Sequence, residues 1–343
     1  MDSSGSVPFP GSLRKVACGV LFVGFGLPVL AVPASASTDS AVTEKRAATL
    51  KSVISVKPAS IRRDRALITR TVKITGKLSP FRNGQRVRVY FFRDGRRLLS
   101  RSVPVRRAGG DRGTFKTSII MKRGSKYAVQ ARYFGSGDPE PIARAKTVRK
   151  SWRVAYRAIS GGRCGKMVRG FRRALNRLAV VPGSGSCFRG KMSRAVLAYR
   201  KMNGLQRNSR ATRSVVRRVF NRKGRYRVRR PGLGNHVEAP LGKQVLVFAK
   251  GRRPYAIFPI SSGKSSTPTI RGTYRFYRKD PGYNAIGMYY SSYFIGGYAI
   301  HGYKSVPDYP ASHGCLRTFI ADQPRIYSLT ELGQPIYVFG SGR

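Results

Sequence analysis

Carboxylates are the first thing this chain lacks. Its 343 residues include 13 Asp and Glu against 68 Lys and Arg, a formal net charge of +55. An excess of that size repels itself, so the protein is expected beside an anionic polymer. Nucleic acid, an anionic bacterial wall and a membrane surface are the candidates. Imidazole and sulfur are almost as scarce, with three His and four Cys. Neither a C-x-x-C nor an H-x-x-x-H spacing occurs, which argues against a zinc site. No metal and no other cofactor is expected. Long apolar runs are absent too, except for one near the N-terminus, so no later stretch suits a membrane crossing.

That single run, "VACGVLFVGFGLPVLAV", follows Arg14 and Lys15 and leads into "PASAS", with Ala34 and Ala36 at the small-residue positions. A basic start, an apolar middle and a small-residue end make a secretory signal over residues 1–36. An uncleaved anchor is the alternative, and membrane contact would then be limited to it. Residues 37–50 are small and polar and read as a disordered lead. Export sets an oxidising compartment, where cysteines pair. With Cys18 removed, Cys164 and Cys187 bracket one helical segment and are expected to form a disulfide. Closing that loop is worth about 3 kcal/mol in the chain-entropy model. Cys315 is then the odd thiol.

The content that is present falls into three segments. Over residues 51–150, "TVKITGKL", "QRVRVYFF", "TSIIM" and "YAVQARYF" alternate apolar and polar, with turn signals such as Asp94-Gly95 and Gly109-Gly110 between them. Short period-two strands at regular spacing predict an immunoglobulin-like β-sandwich, a spacer without chemistry of its own. Over residues 158–225 the period changes to three and four: Met167, Phe171, Leu175 and Leu178, then Met192, Ala195, Val196, Tyr199 and Met202, with Gly204 placed to stop that helix. Val215, Val216, Val219 and Phe220 form a third stripe, so three helices are expected. Within them "AVLAYRKMNGLQ" resembles the helix of three-helix peptidoglycan-binding domains, which implies glycan as a partner. The arginines of "RATRSVVRRVFNRKGRYRVRR" also fit a DNA-binding helix, but the signal and the spread of charge over all three segments set nucleic acid aside. Residues 233–340 are β-rich again, with "KQVLVFAK" and "RPYAIFPI" flanking Gly251-Arg252 as a hairpin and "IADQPRIYSLTEL" as a helix whose first turn holds Pro324. The fold class is therefore multidomain and mainly β.

In the last segment the scarce residue types converge. His301-Gly302 is followed by Ser312-His313-Gly314-Cys315-Leu316-Arg317. A free thiol is mostly protonated at neutral pH, and a neighbouring imidazole can take its proton. His301, His313 and Cys315 are also three zinc-ligand types, but the spacing is unusual and no fourth group is evident. His236, in a Gly/Pro-rich stretch, reads as structural.

Together with "SSGKSSTPT", "AIHGY", "SHGCLR" and the closing "GQPIYV", this pattern resembles the L,D-transpeptidase (YkuD-type) catalytic domain of bacterial cell-wall enzymes. The resemblance implies Cys315 as nucleophile and His301 as general base, a thiolate–imidazolium pair. The backbone carbonyl of Gly302 is a candidate to orient that base. The N–H groups of Gly314 and Cys315, with that of His313, are candidate oxyanion donors, and the ring of His313 is a candidate to orient thiol or substrate. Arg317, Ser312 and Tyr303 are expected on the substrate side, although the family frequently has Thr where this chain has Tyr303. The expected activity is formation of 3→3 cross-links in peptidoglycan through a cysteine thioester. L,D-carboxypeptidase action and a non-catalytic, basic wall-binding protein are the alternatives. Stem peptides, glycan and anionic wall polymers are the expected partners, and the cell wall outside the cytoplasm is the expected location.

Overall fold

The structure is a computed structural model that describes residues 52–135 and 142–341. The signal (1–36) and the lead (37–50) read from the sequence lie outside the described residues. The fold is mainly β, with four α-helices among the described residues: α1 (Lys166–Asn176), α2 (Lys191–Met202), α3 (Arg213–Phe220) and α4 (Gln323–Leu329).

The N-terminal region is two sheets face to face. One orders Val53–Pro58, Thr71–Ser79, Gly113–Ile120 and Arg106–Arg107; the other orders Arg65–Leu67, Lys150–Ala155, Lys126–Tyr133, Arg86–Arg93 and Arg96–Pro104. The hairpin between the last two strands turns at Asp94 and Gly95, both with positive φ, as a tight two-residue turn demands. Val72, Ile74 and Leu78 point inward from one sheet and meet Val87, Val89 and Phe91 from the other. Phe115 lies across from Gly76, and a Cβ there would sit 1.9 Å from its ring, so the glycine is what admits the aromatic. The sandwich does not stop near Lys150 as the alternation suggested. It continues to Ala155, because Trp152 is buried in its core and stacks on Tyr127.

The three helices follow, and Cys164 and Cys187 are joined by a disulfide. Thr212 caps α3 by accepting from the Val215 N–H, and Gly204, at φ +64°, follows the end of α2. The helices do not form an isolated unit. Their apolar cluster includes Ile68 and Tyr156 from the sandwich side and Val245, Val247 and Ile257 from the C-terminal sheet. In α2, every residue from Ala195 to Met202 is buried.

The C-terminal domain has a five-stranded sheet, ordered Arg253–Pro259, Val245–Lys250, Asn235–Pro240, Pro335–Phe339 and Gly272–Arg275. A four-stranded sheet orders Arg278–Tyr283, Tyr289–Ile295, Tyr298–Tyr303 and Leu316–Phe319. Along Val245–Lys250, Val245 and Val247 join the helices' cluster while Leu246 and Phe248 join the domain's own. Two covered faces explain why "VLVF" shows no alternation. α4 begins with Pro324 in its first turn. His236 is buried, and its partners are the Gly234 carbonyl at 3.0 Å and Glu238 at 3.4 Å. Glu238 also accepts from Tyr226 and from the Arg229 and Arg230 N–H groups at 2.7 Å each.

Candidate active site

Two strands bring the scarce residues together. Tyr298–Tyr303 and Leu316–Phe319 run parallel, with Ile300 opposite Leu316 and His301 opposite Arg317. Side chains alternate along a strand, so Arg317 shares a face with His301, while Cys315 lies in the turn just before the second strand. Tyr303, two positions beyond His301, completes that face. Its ring meets His301 edge-on at 5.6 Å, and the Arg317 guanidinium lies over it at 4.3 Å.

His301 is 3% exposed. Its Nδ1 lies 3.0 Å from the Gly302 carbonyl oxygen, which fixes Nδ1 as the protonated nitrogen and leaves Nε2 with a lone pair. Burial, reinforced by the nearby Arg317 charge and only partly offset by the Gly302 carbonyl, pulls its pKa down to about 4. Cys315 is a half-buried free thiol packed against Met288, Tyr293 and Ala299. Its Sγ reaches the Gly297 carbonyl at 3.6 Å. Burial pushes this thiol up, while the Ala299 backbone and Arg317 work in the opposite direction. Low solvation thus disfavours both charged forms. For each group taken by itself, that balance favours the thiol and the neutral imidazole.

The loop carrying Cys315 is held by buried hydroxyls. Ser312 is 1% exposed; its Oγ donates to the Cys315 carbonyl at 2.6 Å and accepts from the Gly314 N–H at 3.1 Å. Ser312 thus braces the loop, and the Gly314 N–H is engaged by it. The N–H groups of His313 and Cys315 remain the candidates. Gly314 sits at φ +122°, and a Cβ there would lie 2.6 Å from the Tyr298 ring. Conformation and close approach both require glycine. The His313 side chain is exposed.

Several supporting residues were not singled out by sequence reasoning. Thr269 Oγ1 donates to the Gly314 carbonyl at 2.6 Å and accepts from the Gly263 N–H at 2.9 Å. Ser261 exchanges both backbone hydrogen bonds with Arg317 at 2.9 Å, and Ser262 accepts from Gln244 at 2.6 Å. "SSGKSSTPT" is thus the clamp of the thiol loop. Behind His301, Thr318 Oγ1 donates to the His301 carbonyl at 3.1 Å and pairs with Gln323, whose amide donates to the Tyr290 carbonyl at 2.6 Å. The signal for these is polar residues inside otherwise apolar strands and helix starts. Among the described residues no cluster of three or more His, Cys, Asp or Glu suits a metal ion.

This part of the structure thus holds a half-buried thiol and a desolvated imidazole whose Nδ1 faces a backbone carbonyl. Residues 234–338 match the family model of the L,D-transpeptidase catalytic domain, YkuD, and this part of the chain is such a domain. Among solved structures, an L,D-transpeptidase from Xylanimonas cellulosilytica is 27% identical, covering 54% of this chain and 98% of that one with a TM-score of 0.49. The L,D-transpeptidase of Stackebrandtia nassauensis is 19% identical, covering 53% and 95%, TM-score 0.33. The catalytic domain from the Enterococcus faecium enzyme is 24% identical over 31% of this chain and 96% of its own, TM-score 0.27. No curated protein sequence matches the chain. The family acts on peptidoglycan stem peptides, and no helix among the described residues is long and apolar enough to cross a membrane.

Proposed function

We propose that the protein is an exported L,D-transpeptidase that forms 3→3 cross-links in peptidoglycan through a Cys315 thioester. The observation that carries this reading is the parallel pairing of the His301 strand with the strand that Cys315 leads into, with Nδ1 of the imidazole bound to the Gly302 carbonyl. As Sγ attacks the carbonyl before the terminal D-residue of a donor tetrapeptide, Nε2 takes the thiol proton. Charge on the carbonyl oxygen develops toward backbone N–H groups of the His313–Cys315 turn. The imidazolium then passes its proton to the departing D-alanine amine, leaving the acyl group on sulfur. An amine from a neighbouring stem attacks the thioester, Nε2 receives its proton, and the thiol is restored by that same proton. Burial disfavours both charged forms, so the proton moves with the attack, and Arg317 favours the sulfur's developing charge. The signal sequence supports export, and the +55 charge favours anionic wall polymers as further partners.

The test is the intact mass of the protein after exposure to donor tetrapeptide. An adduct of the donor lacking its terminal residue, mapped to Cys315, is expected, with a cross-linked product when an acceptor stem is added. Release of tripeptide alone in the presence of acceptor makes the protein a carboxypeptidase. No adduct with donor or with a carbapenem makes it a non-catalytic wall protein.

A further inference from the structure

Three hollows run together along the seam between the sandwich and the helices, away from the thiol. Their cavity volumes are about 250, 440 and 670 Å³, and Thr69 and Lys166 line all three, so they form one groove. Arg62, Arg65 and Arg70 stand on the sandwich wall, and Arg157 and Arg163 on the connection between the two. On the opposite wall, α1 presents Lys166, Arg169 and Arg173, with Arg177 just beyond its end. Those four are three or four positions apart, so they share one helix face, and they span about 16 Å at 1.5 Å per residue. Lys and Arg make up close to half of the lining, against 68 of 343 residues in the chain, and no Asp or Glu lines any part of it.

The walls are fixed to each other. Ile68 of the sandwich side is buried in the helices' cluster, Tyr156 donates to Asn221 at 2.8 Å, and a Cβ on Gly170 would lie 2.6 Å from Thr69. A preformed groove spares a ligand the cost of assembling it. Its cations are also left uncompensated. α1 has no acid in its first turn, like charges three and four apart repel, and among the described residues no cation of the groove is in an ion pair.

We propose that this groove binds a flexible phosphodiester polymer of the polyol-phosphate kind. The guanidinium fork matches phosphate oxygens two at a time, and arginine outnumbers lysine along the groove. Base-bearing polymers use exposed aromatic platforms; the one aromatic in this lining, Phe220, is 7% exposed. The assignment rests on the extracytoplasmic reading given under Proposed function and adds to it a location and a ligand chemistry.

The experiment measures binding of the full chain to synthetic poly(glycerol phosphate) by fluorescence anisotropy across a salt series, with oligo(dT) and polyglutamate as competitors. The groove variant combines Arg70→Glu, Lys166→Glu and Arg173→Glu. A control of equal charge change combines Arg96→Glu, Arg97→Glu and Lys116→Glu, exposed positions that line no part of the groove. The groove variant is expected to bind at least about tenfold more weakly, with a salt slope smaller by about 2 to 3, and the control to stay within about twofold. A Lys166→Gln, Arg173→Gln variant with an unchanged melting curve guards against misfolding and is expected to lose part of the affinity. Equal losses in both triple variants overturn the proposal, as does oligo(dT) or polyglutamate binding with the same strength and groove dependence. Carbapenem labelling of Cys315 on the same samples separates the two readings. Labelling without polymer binding retires the groove alone, and polymer binding without labelling retires the transpeptidase reading alone.

Discussion

In the sandwich strand Thr71–Ser79, exposed and buried residues alternate, and the inward positions are Val72, Ile74, Gly76 and Leu78. In Val245–Lys250 of the C-terminal domain, five consecutive residues are buried, and nearby Gln244, Ser262, Thr269, His301, Ser312, Thr318 and Gln323 are buried polar groups. The sandwich keeps its charges outside and buries only a few polar side chains, Gln85, Gln130 and Thr147. The catalytic domain instead buries polar atoms and gives them partners, which is costly unless every bond is made. The difference shows where precision is needed: one region has to fold, and the other has to hold a loop and a ring in one arrangement.

Substitutions can sharpen or break that contrast. The largest effect is expected from Cys315→Ala, with complete loss of carbapenem and donor adducts by intact mass and an unchanged melting curve. Next, Phe115→Ala should cost about 3–5 kcal/mol of stability by denaturant unfolding, through the cavity it leaves over Gly76. Carbapenem labelling at low denaturant should not change. If labelling falls in parallel, the sandwich is more than a scaffold for itself. Gln323→Leu takes one partner from the Thr318 hydroxyl and removes the amide donor to the Tyr290 carbonyl. A loss of about 1–3 kcal/mol together with roughly tenfold slower labelling is expected, since an unpaired buried group carries its full desolvation penalty.

The last effect is in pH dependence, and its sign follows from burial. His301 titrates at about 4 instead of the ordinary 6.5, so the acid limb of the labelling rate should fall near pH 4. Below pH 6.5 the unfolded chain takes up a proton that the folded chain refuses until about pH 4. Stability should therefore decline across that window, by about 3 kcal/mol relative to His301→Gln. A limb near pH 6.5 would mean that the ring is solvated in solution.

Much of this was legible in the letters. Alternation gave the sandwich strands, the three-and-four spacing gave α1 to α3, and the ordered His–Gly, Ser–His–Gly–Cys–Leu–Arg pattern marked the site segment. Other features were not legible because they are relations between distant positions. Arg194 and Asp322 are 128 residues apart, yet Nε of one lies 2.6 Å from Oδ2 of the other. Ser312 looks like a substrate hydroxyl until its two backbone partners are seen. The packing of Cys315 against Met288, Tyr293 and Ala299, which desolvates the thiol, is encoded in no local pattern.

The helices' attachment to the catalytic sheet has a practical consequence. Lys201, buried in α2 with its pKa pulled down to about 7 by burial first and then by Arg207, donates to the Ile260 carbonyl at 2.7 Å, one residue before the clamp that holds Arg317. A deletion that starts at Leu233 would strip Val245, Val247 and Ile257 of their cover and take away that ammonium. The matched segment, 234–338, is shorter than the set of residues that share this buried cluster. Expression of a working fragment should begin upstream of Cys164.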